Sequence, residues 1–269
     1  MKKDAKSGIL YREWTASDPE AVFLLVHGLG GHSERWKSLA DFFLKKNISS
    51  YAIELRGFGE TKELRGHVDS FKIYSNDILA LRGIIEIENK DKKIFLIGES
   101  MGALLAFLLV PGEEDLFSGL ICISPAFASR LNSSTLYYVK IFLSLFYNPK
   151  KQFTIPFTSE MCTRDPDCRK KMDDDKREHR LASSKLIFEI AKAQIKSAFL
   201  RKKIDIPLLF LLAGKDMLVN SEASRRLFKT IRAQDKTLLE YPGMYHALSV
   251  DAERAKVFQD MSGWVRNRI

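Results

Sequence analysis

Six short apolar segments recur along the chain, separated by stretches of helical character. They span residues 21–26, 48–55, 93–98, 119–124, 206–213 and 237–241. Continuous apolar runs of this length are typical of strands that are buried on both faces of a parallel sheet. Their alternation with helices predicts an α/β fold, in which a mostly parallel central sheet carries helices on both faces. Functional groups then belong at the carboxyl ends of the strands.

The alternation stops in the middle of the chain and resumes after about 75 residues. We therefore predict a core formed by residues 1–127 and 204–269, with residues 128–203 as an inserted, mainly helical lid or cap subdomain. A chain of 269 residues is long enough to form one such domain with a full hydrophobic core.

Two helices are predicted in this insertion. Residues 136–147 are apolar almost all round, and residues 181–201 have helical periodicity. The second helix carries an apolar stripe of Ile187, Ile190, Ala191, Ile195, Ala198 and Phe199. Two interpretations stay open for the apolar helix: it is buried core, or it forms an acyl-chain tunnel or a lid that faces a membrane. The two can coexist, with one face packed inward while another contacts lipid.

A serine between glycines provides the strongest chemical signal. The motif Gly98-Glu99-Ser100-Met101-Gly102 follows the apolar strand 93–97 and precedes the apolar helix 103–110. Small residues two positions before and after the serine permit a sharp turn from strand to helix. Such a turn exposes the Ser100 hydroxyl and directs the Met101 amide toward the same point.

A serine hydroxyl needs a base within hydrogen-bond reach and an acid that orients the base. After Ser100 the chain has two histidines. His179 lies in a charged run and is expected to be solvated. His246 follows the strand 237–241 and a Pro242–Gly243 turn, where the expected chain order of serine, acid and histidine places the base.

The acid is expected at the end of the preceding strand. Residues 207–213 form a continuous apolar run, and Asp216 follows its carboxyl end. Asp205 precedes the strand and would emerge at the opposite edge of the sheet, whereas Asp251 is expected to start the last helix. Asp216 is therefore predicted to accept the Nδ1–H of His246 and to stabilise the imidazolium that forms during reaction.

An acyl-transfer enzyme also needs two amides that bind the oxyanion. Met101 is expected to supply one. The other is assigned to Leu29, in the glycine-rich loop 27–32 that follows the strand 21–26. The alternative is that this loop is a plain turn into the next helix. His27 is expected to brace the loop by hydrogen bonds without transferring a proton.

These segments resemble the α/β-hydrolase superfamily and, within it, the monoacylglycerol lipase and lysophospholipase group. The resemblance covers most of the chain outside the insertion. The matching segments are HGLGGHSERW (27–36), LRGFGET (55–61), LIGESMGA (96–103), LLAGKDMLV (211–219) and KTLLEYPGMYHAL (236–248). The resemblance implies that Ser100, Asp216 and His246 form a catalytic triad and that Leu29 and Met101 are the oxyanion donors. It also implies that no metal or organic cofactor is needed.

Two positions near the glycine-rich loop bear on substrate recognition. Members of this group often carry glutamate where this chain has Gly31, so recognition of a glycerol head group does not follow from the motif. Arg35 matches the family pattern and would brace either the loop or the head-group pocket.

Charge and composition bear on the partners. The formal net charge is +9. Basic residues are spread along the chain without a nucleic-acid-binding motif, so no nucleic acid is expected. Three basic clusters lie in the insertion: Lys150–Lys151, Arg169–Lys171 and Arg201–Lys203. They either attract an anionic membrane surface or serve as solubilising surface charge.

The N-terminal residues and the cysteines indicate the compartment. Residues 1–8 are charged and lack the apolar segment of a secretory signal, so a cytoplasmic protein is expected, with peripheral membrane contact as an addition. Three cysteines argue against a disulfide framework. Cys122 is expected to be a buried hydrophobic residue, and Cys162 and Cys168 are expected to be reduced, although their spacing permits a bridge.

The predicted activity is hydrolysis of lipid esters through an acyl-enzyme on Ser100, as in a monoacylglycerol lipase or lysophospholipase. The same residues would serve a carboxylesterase, a thioesterase or a proline-type aminopeptidase. An aminopeptidase needs an acidic pocket for a free amino terminus, for which Glu34 and Glu99 are the candidates. A non-catalytic ligand-binding receptor on this fold is the alternative from a different class.

Overall fold

A computed structural model of the protein describes residues 1–131 and 134–269. The strands are β1 (Lys2–Lys3), β2 (Leu10–Trp14), β3 (Ala21–Val26), β4 (Ile48–Glu54), β5 (Lys93–Glu99), β6 (Gly119–Ile123), β7 (Gln152–Thr154), β8 (Leu181–Ser183), β9 (Leu208–Ala213) and β10 (Lys236–Tyr241). The α-helices are α1 (Lys37–Leu44), α2 (Phe71–Glu88), α3 (Met101–Leu109), α4 (Thr135–Tyr147), α5 (Ser159–Cys162), α6 (Pro166–Asp174), α7 (Ser184–Leu200), α8 (Ser221–Lys229) and α9 (Arg254–Arg266). Residues 132 and 133, which belong to the predicted insertion, lie outside the described residues.

Eight strands form one sheet in the order β1-β2-β4-β3-β5-β6-β9-β10. The six strands from β4 to β10 in this order are parallel, and all six were predicted from the apolar runs. The antiparallel edge strands β1 and β2 were not predicted. Their residues are exposed or partly buried for the most part, so they lack the continuous apolar character of the inner strands.

Both faces of the sheet are covered, as the pattern predicted. Alternate residues of β3 face opposite ways: Val22 and Leu24 pack in one hydrophobic cluster, and Phe23 and Leu25 in the other. The first cluster includes residues of α2, α3, α7 and α8, and the second includes residues of α1 and α9. The carboxyl ends of β3, β5, β9 and β10 therefore lie at one edge of the sheet, between two layers of helices.

The chain between β6 and β9 contains α4, β7, α5, α6, β8 and α7. The strands β7 and β8 form a separate antiparallel pair. This segment is joined to the core from its start, because Asn220 N donates to Ala128 O and Arg130 N donates to Leu218 O. Its helix α7 contributes Leu186 and Ala193 to the main hydrophobic cluster. The division at residues 128 and 203 stays a prediction.

The two insertion helices differ from the expected packing. In α4, Ile141 and Ser144 are buried, whereas Phe142, Phe146 and Tyr147 are more than half exposed. The helix is therefore not buried all round: one face packs inward and another is exposed. The second helix begins at Ser184 because residues 181–183 form β8.

The predicted apolar stripe of α7 packs into the core only in part. The fully buried residues of this helix are Ser184, Leu186, Glu189, Ala193 and Ser197. Of the stripe, Ile187 and Ile190 are partly buried and pack against the main hydrophobic cluster. The stripe divides in two: Ile187, Ile190 and Ala191 line a cavity, and Ile195, Ala198 and Phe199 are exposed.

Candidate active site

Ser100 lies at a sharp turn between β5 and α3. Its backbone has φ 58° and ψ −118°, a left-handed conformation that L-residues rarely adopt. Two glycines make the turn possible. A Cβ on Gly102 would lie 2.1 Å from Val26 O, and one on Gly98 would lie 2.4 Å from the backbone of Gly102. The turn has the geometry that exposes a nucleophilic serine above the sheet.

Asp216 and His246 are in contact at the end of the neighbouring strands. His246 Nδ1 lies 2.8 Å from Asp216 Oδ2, and both side chains are buried. The other oxygen, Asp216 Oδ1, accepts hydrogen bonds from the amides of Leu218 and Val219 at 2.8 and 2.9 Å. These bonds fix the carboxylate so that it orients the imidazole with Nε2 free for another partner.

The environment of His246 changes its pKa in two opposing ways. Burial lowers the pKa, but the carboxylate of Asp216 raises it and outweighs burial, with a further contribution from Glu99 and opposition from Arg35. The net pKa is raised above the ordinary histidine value. The raised pKa favours proton uptake by this residue.

Ser100 and His246 line the same cavity. Within residues 1–131 and 134–269, no hydrogen bond joins the Ser100 hydroxyl to the imidazole. Hydrogen bonds between a nucleophile and its base are often long without substrate and shorten in the complex. The structure thus brings together the serine and the His246–Asp216 pair on which the sequence prediction depends.

The predicted oxyanion donors flank Ser100. Met101 is the first residue of α3, where backbone amides have no partner within the helix. On the other side, a Cβ on Gly28 would lie only 3.1 Å from Ser100 Cβ, so the loop that carries Leu29 packs closely against Ser100. Leu29 and Met101 both line the cavity with Ser100, and their role as donors stays a prediction.

His27 braces this loop, as the sequence indicated. Its Nδ1 lies 2.8 Å from Gly28 O, and its Nε2 accepts a hydrogen bond from Leu55 N at 3.1 Å. Burial lowers its pKa, which favours the neutral ring that these two bonds require.

The cavity beside Ser100 has a volume of about 290 Å³ and is mainly apolar. The insertion forms much of its wall through residues of α4, α7 and the segment between β7 and α5. These residues are Tyr137, Tyr138, Ile141, Ile155, Pro156, Phe157, Ile187, Ile190, Ala191 and Gln194. The insertion therefore forms a large part of the cavity wall, and its role as a lid stays a prediction.

His179 belongs to a segment of the insertion that packs on the glycine-rich loop. His179 N donates to Gly30 O at 2.9 Å, and its side chain is partly buried, so the expectation that it is solvated is wrong. In the same segment, Glu178 Oε1 lies 3.5 Å from Arg35 Nε beside the loop. A Cβ on Gly31 would lie 2.9 Å from the Arg35 side chain, so the missing side chain at position 31 leaves room for this arginine.

A second segment of the insertion binds the loop that carries His246. Ala247 N donates to Cys162 O at 2.8 Å, and Thr163 Oγ1 donates to Val250 O at 2.9 Å. Arg164 forms an ion pair with the buried carboxylate of Asp251. Asp251 thus anchors this loop, whereas the last helix begins at Arg254, three residues later than expected.

Glu99 makes a contact within the site that the sequence did not predict. Glu99, the residue before the nucleophile, accepts two hydrogen bonds from Ser249, which lies three residues after His246. The position of Glu99 inside the serine motif indicated that it lies close to the site. Its partner could not be identified, because Ser249 lies 150 residues away along the chain.

The three cysteines are unbridged, and Cys162 lines the cavity. Cys122, Cys162 and Cys168 are free thiols, so the last two are not bridged. Burial raises the pKa of Cys162 to about 12, which keeps it protonated. The described part of the chain has no group of three or more His, Cys, Asp or Glu residues arranged to hold a metal ion. That the protein needs no cofactor stays a prediction.

Comparison with known proteins places this arrangement in a family. The family described as serine aminopeptidase, S33, matches residues 17–253. Monoglyceride lipase of Mus musculus is 29% identical over 266 residues, which cover 96% of this chain and 86% of the lipase. A phospholipase of Bacillus subtilis is 28% identical over 250 residues, which cover 91% of this chain and 95% of the phospholipase.

A solved structure shows the same architecture. The monoacylglycerol lipase of Paleococcus ferrophilus superposes with a TM-score of 0.88 at 25% identity, covering 97% of this chain and 99% of the lipase. The predicted fold class is thereby confirmed. With its parallel sheet, its serine turn and a family match over most of its length, the chain belongs to the serine aminopeptidase S33 family and has the α/β-hydrolase fold.

Proposed function

We propose that this protein is a serine hydrolase that cleaves carboxylic esters of lipids, most specifically monoacylglycerols or lysophospholipids. The observation that carries the proposal is the position of Ser100 and His246 in the wall of a mainly apolar cavity. Most of the other lining residues are aliphatic or aromatic, with Arg35, Glu99, Ser129 and Gln194 as the further polar ones. An acyl chain buried there would contribute about 0.8 kcal/mol per methylene group.

The relatives support this substrate class. The similar proteins include lipases named for monoacylglycerol and a phospholipase, and the sequence matches cover more than four-fifths of each. Lipid esters are therefore the first substrates to test.

The proposed reaction has two steps on Ser100. His246 Nε2 takes the hydroxyl proton while Ser100 Oγ forms a bond to the ester carbonyl carbon. The amides of Leu29 and Met101 bind the resulting oxyanion. As the intermediate collapses, the bond to the alcohol breaks, and His246 gives its proton to the departing oxygen.

Hydrolysis of the acyl-enzyme regenerates the serine. His246 removes a proton from water, the water oxygen bonds to the acyl carbon, and the bond to Ser100 Oγ breaks. The same histidine returns the proton to Ser100, and the fatty acid leaves. Asp216 accepts the Nδ1–H of His246 and stabilises the imidazolium in both steps.

The family description raises an aminopeptidase as the competing function. An aminopeptidase of this type would need a carboxylate available for the substrate ammonium. Glu99 is the one carboxylate among the described cavity-lining residues, and it already accepts two hydrogen bonds from Ser249. Glu34 is paired with Arg177 outside this cavity. These contacts favour an ester hydrolase.

Contact with a lipid surface forms part of the proposal. The outer side of α4 exposes Phe142, Leu143 and Phe146, and Lys150 and Lys151 follow the helix. Exposed apolar side chains beside basic groups suit peripheral binding to an anionic bilayer. No helix among the described residues is long and apolar enough to cross a bilayer. The cytoplasmic location stays a prediction.

The test is hydrolysis of a chain-length series of monoacylglycerols, lysophospholipids and p-nitrophenyl esters by the protein and by Ser100→Ala. We expect long-chain monoacylglycerols or lysophospholipids to be the best substrates. Loss of the nucleophile should lower kcat by about 10⁶-fold, as found for serine proteases. An alanine variant that keeps its activity would contradict the proposal, and so would peptide cleavage without ester hydrolysis.

A further inference from the structure

Glu99 connects the strand of the nucleophile with the loop of the base. It is the last residue of β5, directly before Ser100, and it is only 7% exposed. Its Oε1 accepts a hydrogen bond from Ser249 N at 3.2 Å, and its Oε2 accepts one from Ser249 Oγ at 3.0 Å. Ser249 lies in a 3₁₀ turn, Leu248–Val250, which begins two residues after His246.

We propose that Glu99 is a positioning residue for catalysis, which sets the distance between Ser100 and His246 through its two hydrogen bonds to Ser249. The inference rests on the proposed ester-hydrolase function. Ser100 and His246 lie on different elements, so their separation depends on contacts between the β5 turn and the histidine loop. Hydrogen bonds to an ionised carboxylate are roughly twice as strong as neutral ones.

The histidine loop is held independently on its other side. Cys162 O binds the amide of Ala247, and Arg164 pairs with Asp251. These contacts come from the insertion and involve neither Glu99 nor Ser249. The loop is therefore expected to stay folded in such variants while it loses its tie to the nucleophile strand.

The charge of Glu99 has a second effect. Asp216, Glu99 and Arg35 are the charged groups that act on His246, and burial acts in addition. The carboxylate of Glu99 raises the pKa of His246, as that of Asp216 does, whereas Arg35 lowers it. Removing the charge at position 99 therefore lowers the pKa of the base, an effect that a merely structural residue would not have.

Two variants separate the positioning effect from the charge effect. Glu99→Gln keeps the shape of the side chain and removes its charge, whereas Ser249→Ala removes the hydroxyl donor and keeps the charge. The assay is hydrolysis of a short soluble p-nitrophenyl ester, measured as kcat and KM and as kcat/KM against pH. Thermal unfolding of each variant, and of the double variant, reports whether it is folded.

For Glu99→Gln we expect kcat to fall by about 10- to 100-fold, the usual result of small misplacements of reacting groups. KM should change little, and the acid limb of the pH profile should move to lower pH. Ser249→Ala should lower kcat by less and leave the acid limb in place. Because the two residues act through one contact, their effects on kcat should not add in the double variant.

Contrary results are distinguishable from failure of the proposed function. Suppose that the unchanged protein hydrolyses esters, and that both variants have a kcat within about twofold of its value and the same acid limb in their pH profiles. The inference about Glu99 is then overturned, and the proposed function stands. If the unchanged protein hydrolyses no ester, both fail. If Glu99→Gln does not fold, the kcat of Ser249→Ala decides alone: a loss supports the inference, and an unchanged value overturns it.

Discussion

At the scale of single residues, the position of Ser100 depends on glycines that bring three backbone segments together. Gly102 packs against the end of β3, and its missing side chain is what allows the turn to approach Val26. This turn could be predicted from the sequence because it requires small residues only at the two positions next but one to Ser100. Asp216 and His246 were predicted from their order along the chain, and in the structure Asp216 Oδ2 lies 2.8 Å from His246 Nδ1.

Gly102→Ala tests this packing. The added Cβ would lie 2.1 Å from Val26 O, so strand and helix must move apart. We expect the free energy of unfolding in urea to fall by about 1–3 kcal/mol or more, as in other overpacked cores.

Gly83→Ala is the matched control for this substitution. Gly83 lies in α2 and has open space around its Cβ position. There alanine should leave the free energy of unfolding unchanged or raise it by up to about 1 kcal/mol, because alanine favours helix. Equal effects at the two positions would contradict the packing argument.

The pH dependence of activity follows from the state of His246. The reaction needs the neutral imidazole as base, and the folded protein raises the pKa of this histidine. Activity should therefore rise with pH through that raised pKa, so that the acid limb of kcat/KM lies above the ordinary histidine value of about 6.5. A pH–rate profile with a soluble ester measures this, and an acid limb below that value would count against the predicted contribution of Asp216.

Other contacts within the site could not be predicted from sequence. Glu99 meets Ser249, and Glu178 meets Arg35, only because loops from distant parts of the chain converge. His179 was expected to be solvated because its neighbours are charged, yet its backbone binds Gly30. Local composition describes a charged segment but does not show what that segment packs against.

At the scale of elements, the inner strands were predictable and the environment of the insertion helices was not. Parallel strands buried on both faces leave a continuous apolar run, which a short half-exposed edge strand such as β2 does not. For α4, an apolar composition suits a buried helix as well as one that faces lipid. Its exposed aromatic residues make the second interpretation testable.

Phe142→Asp tests whether α4 contacts lipid. Phe142 is 55% exposed, so its replacement should leave folding and the hydrolysis of a short soluble ester nearly unchanged. Activity on monoacylglycerol in phosphatidylserine-containing vesicles should fall about tenfold or more, because an aromatic side chain no longer enters the bilayer.

Ile87→Asp is the matched control for the lipid experiment. Ile87 is an 84% exposed apolar residue at the end of α2, outside the insertion. Its replacement should leave both activities unchanged. Equal losses of activity on the soluble ester and on the vesicle substrate for Phe142→Asp would contradict the proposed contact with lipid.

The role of the basic clusters is tested by the salt dependence of vesicle binding. Binding that does not weaken as salt is added would show that the clusters serve only as surface charge.

At the scale of the whole molecule, the insertion helps to form the candidate active site and supports its loops. It lines the apolar cavity, binds the glycine-rich loop through His179, and holds the histidine loop through Cys162 and Arg164. The insertion could be located from the sequence because the strand–helix alternation stops there. Its support of the glycine-rich loop and the histidine loop could not, since two of these contacts join backbone groups and the third joins Arg164 to Asp251, 87 residues away along the chain.

The central claim is that the fold makes one hydroxyl reactive by placing Ser100 beside His246. The most direct measurement is labelling with a fluorophosphonate, with intact mass and peptide mapping, while monoacylglycerol hydrolysis is followed in the same sample. The account predicts one adduct per chain, on Ser100, with activity lost in proportion, and almost no labelling of His246→Ala. An adduct at another residue, or a fully labelled protein that still hydrolyses the ester, would contradict it.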